Sequence, residues 1–214
     1  MRDAPNRPNT SEGADKFGIW AFRDCEVTAT LNVGRARQTL LGDSELSFYR
    51  RTNCRTYMVE VGDAAPDFTA PLANGDVEEF TLSENLDDAP VVLAFFPAAF
   101  TGVCTTEMAT FEEKLDEFED ATVYGVSVDA PFSLNEFRDQ EGLSFGIVSD
   151  SNKEIIDDYD VEMDFADMGY YGVAKRAVFV VDDDGEVTYE WASDDPGVEP
   201  DYDEVADAAA DAAE

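Results

Sequence analysis

The sequence predicts an α/β sandwich, a mixed sheet flanked by helices, and three observations carry that prediction. Residues 91–96 (VVLAFF) and 176–181 (RAVFVV) form runs dense enough in apolar side chains to be strands buried on both faces. Between them lies a helical pattern in which Met108, Phe111, Leu115 and Phe118 share a face, with Glu112, Glu113, Asp116 and Glu117 opposite. Near the end, DDDG separates two strand-like runs as a hairpin turn does.

The elements follow in order. Gly62-Asp63 and Ala65-Pro66 are turn material before a short strand at 67–70, and Asn74-Gly75 turns the chain into an edge strand near 78–82. After the buried strand 91–96 comes the loop PAAFTG and the helix through Phe118. A buried strand at 122–128, a helix around 134–140, a strand around 144–148 and a short helix near 154–159 come next. The strand 176–181 pairs with 186–191, and an alanine- and aspartate-rich amphipathic helix follows Pro200. From residue 91 the order β-α-β-α-β-α-β-β-α is compatible with a thioredoxin-like domain carrying an extra βα insertion.

Composition narrows the chemistry. The 214 residues include no histidine and three cysteines with no C-x-x-C pair. Imidazole-dependent nucleophile activation, His-based zinc sites and dithiol redox motifs are thereby excluded. No run of 18 apolar residues occurs, and a net charge of −35 argues against nucleic acid as a partner. With 44% hydrophobic residues the chain still has the means to build a core.

The charge is unevenly placed. Residues 1–57 hold 9 basic and 7 acidic groups, whereas residues 58–214 hold 5 and 42. Two readings of residues 1–57 compete: a real arm or small extra domain, or upstream sequence translated ahead of a natural start at Met58. The abrupt change in charge favours the second, and residues 1–15, polar and without periodicity, read as disordered. Arg50-Arg51 is not followed by an apolar stretch, so it does not read as a twin-arginine export signal. Acids spread through nearly every segment of 58–214 suit a solvated halophilic surface in a cytoplasm of molar salt, where screening shortens to about 3 Å.

Cys104 is the only cysteine after residue 57, and it falls at the start of the predicted helix. Unpaired N–H groups and the positive end of the helix dipole favour a thiolate there. The plainer alternative is a small buried hydrophobe, the usual state of a free cysteine. Pro97, Thr101 and Cys104 form P-x-x-x-T-x-x-C directly after a buried strand. A hydroxyl three residues before the thiol can reach both sulfur and an oxygen-bearing substrate, and the proline can wall the sulfur off from solvent. Arg176, one of five cations after residue 57, opens an apolar strand. It either stabilises a thiolate or forms an ion pair with a carboxylate.

The stretches VGDAAPDFTAPLANG, VVLAFFPAAFTGVCTTEM, VYGVSVDAPFSLNEF, GLSFGIVSD and KRAVFVVDDDGEV resemble the peroxiredoxins, in that family's order. FFPAAFTGVCTTEM is most similar to the small one-cysteine, alkyl hydroperoxide reductase E-like branch. The resemblance implies a thioredoxin fold and a thiol peroxidase acting on hydrogen peroxide and organic hydroperoxides, with no haem, flavin or metal. It makes Cys104 the peroxidatic cysteine and Pro97, Thr101 and Arg176 its active-site companions, with backbone N–H groups near Val103 and Cys104. Glu107 matches an acidic or amide position that helps hold the arginine; a favourable acid in the first helical turns is the other reading. A resolving cysteine five residues downstream would fall on Ala109. The expected cycle therefore uses an external thiol, either a low-molecular-weight thiol or a thioredoxin- or glutaredoxin-like protein. Cys54 is an alternative resolving residue if residues 1–57 are real and folded. A homodimer is implied too, with Phe100 either at its interface or packed over the active-site loop. Two rivals use the same fold: a thiol-disulfide oxidoreductase or copper-delivery relative, and a holdase or structural protein with an incidental cysteine.

Overall fold

The computed structural model describes residues 58–86, 90–118 and 121–213. The expectations for residues 1–57, Cys25 and Cys54 included, lie outside the described residues. The described chain is a seven-stranded mixed sheet with helices on both faces. The strands are β1 (Thr69–Asn74), β2 (Asp76–Thr81), β3 (Val91–Phe95), β4 (Thr122–Ser127), β5 (Gly146–Ser149), β8 (Arg176–Val181) and β9 (Val187–Ser193). They lie in the order β2-β1-β5-β4-β3-β8-β9. A separate hairpin, β6 (Glu162–Phe165) and β7 (Tyr170–Ala174), stands apart from that sheet. The helices are α1 (Gly102–Glu113), α2 (Pro131–Glu141), α3 (Glu154–Asp158) and α4 (Tyr202–Ala212).

The strand alternation explains the layering. In β3 every side chain is buried; Val91, Leu93 and Phe95 join one apolar cluster, while Val92, Ala94 and the following Phe96 join the other. The first cluster includes Ile155, Ile156 and Tyr159 of the α3 region, and the second takes Met108 and Phe111 of α1, Leu134 and Phe137 of α2 and Val205 of α4. β3 pairs parallel with β4 and antiparallel with β8, where Phe95 sits opposite Ala177. That register brings the start of β8 to the carboxyl end of β3.

Several boundaries differ from the sequence reading. The first strand runs over Thr69–Asn74 rather than 67–70, because Gly75, at φ +87, lets β1 and β2 continue directly into one another. α1 stops at Glu113, and Leu115–Phe118 is a 3₁₀ turn instead of further helix. The β6–β7 hairpin was not anticipated; its alternation is weak, with half-exposed and exposed residues along β6.

Asp150 fastens the chain between β5 and α3. It is 3% exposed, and its two carboxylate oxygens accept from the N–H groups of Glu154 and Ile156 at 2.9 Å each. Replacing it by alanine orphans both donors, and an expected loss of about 1–3 kcal/mol would appear as a lowered midpoint in a urea titration.

Candidate active site

The site forms where β3 ends, α1 begins and β8 begins. Pro97 is buried immediately after β3. The following loop is held by the Ala99 N–H, which donates to Asp129 Oδ2 at 2.8 Å, and it passes through Phe100 in the left-handed region at φ +62. A bulky residue rarely adopts that conformation. The Phe100 ring is 52% exposed and packs edge-on against Phe137 of α2 at 5.2 Å.

Thr101 occupies the N-cap of α1, with Cys104 in the first turn. The first backbone bond into the helix runs from the Thr105 N–H to the Thr101 carbonyl at 2.9 Å, leaving the earlier N–H groups at Val103 and Cys104 without helical acceptors. The Thr101 hydroxyl donates to the Ala98 carbonyl at 2.9 Å rather than to the sulfur. The sequence placed this hydroxyl within reach of the thiol, but its hydrogen bond goes to the loop carbonyl instead.

Arg176 is 1% exposed and Cys104 2%. The guanidinium divides its donors: Nη2 faces Cys104 Sγ at 3.6 Å and donates to the Pro196 carbonyl at 2.9 Å, while Nη1 pairs with Glu107 Oε2. Both sequence readings of Arg176, sulfur partner and ion pair, are therefore realised together. Burial on its own would lower the Arg176 pKa, but the Glu107 and Cys104 charges and hydrogen bonds hold it above its ordinary value. For Glu107, fully buried, burial dominates over Arg176 and pushes the carboxyl up to about 8, with Glu199 adding to the rise. Glu107 Oε1 and Arg176 Nε are buried without hydrogen-bond partners.

Cys104 and Arg176 open onto a cleft of about 330 Å³ that Pro97, Thr101 and Val103 also line. The opposite wall comes from Phe165, Met168 and Tyr170 of the unanticipated hairpin, and from Pro196. Thus all six candidate residues gather: five line the cleft, and Glu107 sits behind Arg176. Sequence reasoning missed the hairpin wall, although Tyr170-Tyr171-Gly172-Val173-Ala174 after Gly169 was a usable turn-and-strand signal. Among the described residues no cluster of His, Cys, Asp and Glu is arranged to hold a metal, and no helix is long and apolar enough to cross a membrane.

The raised Glu107 carboxyl has a pH consequence. The native state keeps this proton up to about 8, whereas the unfolded chain releases it near the ordinary 4.5. Between those values the native state binds more protons, so this group's contribution is complete below 4.5 and is lost as pH rises through 8. Urea titrations across that interval should show a stability decline that is flatter in Glu107→Gln.

The family model described as the AhpC/TSA family matches residues 61–190. The chain is 37% identical over 141 residues to the chloroplastic 2-cysteine peroxiredoxin of Chattonella marina var. antiqua, covering 61% of this chain and 69% of that protein. It is 33% identical over 145 residues to the thiol peroxidase of Corynebacterium glutamicum, covering 67% of this chain and 85% of the relative. The solved structure of Mycobacterium tuberculosis AhpC superposes with a TM-score of 0.62 at 29% identity, over 72% of this chain and 93% of that one. A buried thiol under a guanidinium at the end of a central strand and a family match over most of the same domain lead to one assignment: the chain belongs to the AhpC/TSA family of peroxiredoxins and is a thiol peroxidase.

Proposed function

We propose that Cys104 is the peroxidatic residue and that it works in a one-cysteine cycle within a catalytic unit formed by residues 58–214. The observation that carries this reading is the 3.6 Å approach of Arg176 Nη2 to Cys104 Sγ, both groups buried at the floor of an open cleft. A cation held there favours the thiolate and can polarise the peroxide oxygen beside it.

In the first step the Cys104 thiolate attacks the terminal peroxide oxygen. An S–O bond forms as the O–O bond breaks, the sulfur is oxidised to a sulfenic acid, and the departing oxygen leaves as alcohol or water after taking a proton from solvent. Arg176, the N–H groups of Val103 and Cys104, and the Thr101 hydroxyl once it turns from Ala98 stabilise the charge moving along the O–O bond. Pro97 screens the sulfur. An external thiol then attacks the sulfenic sulfur, releasing water and forming a mixed disulfide. A second thiol equivalent reduces that disulfide and returns the thiolate. Neither haem, flavin nor metal enters these steps.

Cys104 is the free cysteine of the described residues, and Ala109 stands where a nearby resolving partner would be. Both support an external reductant, a low-molecular-weight thiol or a thioredoxin- or glutaredoxin-like protein, and a place in the alkyl hydroperoxide reductase E-like branch. The acidic surface supports a halophilic, cytoplasmic setting, and the half-exposed Phe100 supports a homodimer contact near the active-site loop.

The test uses the full chain with Cys25 and Cys54 replaced by serine, rapidly mixed with hydrogen peroxide or cumene hydroperoxide in molar KCl. Thiol loss orders of magnitude faster than free cysteine is expected, with turnover sustained by added thiol. Cys104→Ser should abolish peroxide reduction, and Arg176→Met should slow it by about 10²–10³-fold, as when a stabilising donor is removed. Full activity in Cys104→Ser would falsify the assignment and favour a holdase with an incidental cysteine. Turnover that needs Cys54 would replace the one-cysteine cycle with a two-cysteine one.

Circular dichroism on dilution of the salt checks the halophilic reading. Unfolding should set in as KCl falls well below about 1 M and screening lengthens; a signal indifferent to salt would sink it.

A further inference from the structure

The wall of the cleft opposite Cys104 belongs to the β6–β7 hairpin, which pairs with no strand of the main sheet. At its base Val173 and Ala174 are fully buried, and the Lys175 N–H donates to the Val161 carbonyl at 2.6 Å. Its far end is different. Phe165 and Tyr170 are partners across the two strands, and Met168, 73% exposed, sits in the turn between them. These three side chains line the cleft. The part of the hairpin that shapes the cleft is thus the part that burial holds least.

Lys153 fastens that end. It stands just before α3, and its Nζ donates at 2.8 Å to the carbonyl of Tyr171, the neighbour of Tyr170. Two backbone features serve this one contact. Lys153 itself lies in the left-handed region at φ +63, a conformation that costs a residue with a side chain energy. Gly172, at φ +62, leaves the ammonium its room, since a Cβ there would come within 2.6 Å of Lys153 Nζ. The Gly172 N–H goes to Asp164 Oδ1 at 2.8 Å, which ties the two strands together at the same level.

We infer that Lys153 is a positioning residue that sets the choice between peroxides: by clamping the Tyr171 carbonyl it holds Phe165, Met168 and Tyr170 as an apolar wall against which the organic group of an alkyl or aryl hydroperoxide packs. The inference rests on the peroxidase reading of Cys104. Lys153 does not itself line the cleft and acts only through the hairpin it holds. Hydrogen peroxide has no apolar part to set against that wall, so the wall favours the substituted peroxide alone. A small change of fit in a hydrophobic pocket alters rates by about tenfold or more. A hairpin end free to swing away from Cys104 loses that fit and leaves the chemistry at the sulfur untouched.

The experiment takes the full chain with Cys25 and Cys54 replaced by serine, in molar KCl. It measures the second-order rate of thiol loss with cumene hydroperoxide and, separately, with hydrogen peroxide. Lys153→Met should lower the cumene hydroperoxide rate by about tenfold and leave the hydrogen peroxide rate nearly unchanged. Lys153→Arg, which keeps a cationic donor on a long stem, should restore most of the preference. Lys153→Gly relieves the left-handed backbone while removing the ammonium, so it should melt no lower than the parent and still lose the preference. Met168→Ala, on the wall itself, should shift the ratio of the two rates in the same direction. A ratio unchanged in Lys153→Met and Lys153→Gly, a ratio unchanged in Met168→Ala, or an equal fall with both peroxides would overturn the inference. A parent protein that reacts as slowly as free cysteine with both peroxides would instead overturn the peroxidase reading.

Discussion

A guanidinium removed from water sets the terms for the rest of the site. Burying a cation without partners is prohibitive, and Arg176 is shielded almost completely. Its partners come from two separate parts of the chain, Glu107 and Cys104 from α1 and Pro196 from the segment before α4. Each must arrive for the others to be tolerated. The sulfur is therefore one corner of a charge-satisfaction problem that also fixes how α1 begins and how the chain enters α4. The geometry of the candidate site and the energetic viability of the core are here the same requirement.

The other four cations of residues 58–214 show how an acidic chain spends the positive charge it retains. Lys114 at the end of α1 reaches Asp203 of α4 at 2.7 Å, and Lys175 reaches Asp194 at 2.8 Å. Lys153, before α3, donates to the Tyr171 carbonyl of β7 at 2.8 Å. Arg138, 6% exposed, donates to the Ser144 and Phe145 carbonyls and to Asn74 Oδ1. All five cations join segments that are apart in sequence or belong to different elements. Exposed pairs such as those of Lys114 and Lys175 contribute little energy on their own; their consistent placement at junctions says more about registration of elements than about strength.

How much of this was legible in the sequence depends on whether the signal lay in side chains or in the backbone. The buried strands β3 and β8 announced themselves through unbroken apolar runs, and the hairpin of β8 and β9 through its turn. Pro97, Thr101, Cys104 and Arg176 were readable because a local motif and a conspicuous cation carried them. The Pro196 carbonyl was not, since every residue has one and only the tertiary path selects it. The direction of the Thr101 hydroxyl was hidden for a related reason: it follows from the left-handed turn at Phe100, which a phenylalanine does not advertise. The hairpin wall of the cleft was missed because Met168 and Tyr170 sit in a stretch with little burial, where strand alternation fades.

The antiparallel register of β8 on β3 has a consequence for the order in which the molecule acquires its chemistry. Cys104 and Arg176 lie 72 residues apart along the chain, and the pairing of β8 with β3 is what places them together. Contacts of such long range close late, because chain-closure entropy must be overcome first. While the chain is still emerging or only partly collapsed, its thiol has no guanidinium beside it. On the proposed peroxidatic reading of Cys104, its reactivity toward oxidants is withheld until the polypeptide has folded, which guards the nascent sulfur before any reductant cycle can serve it.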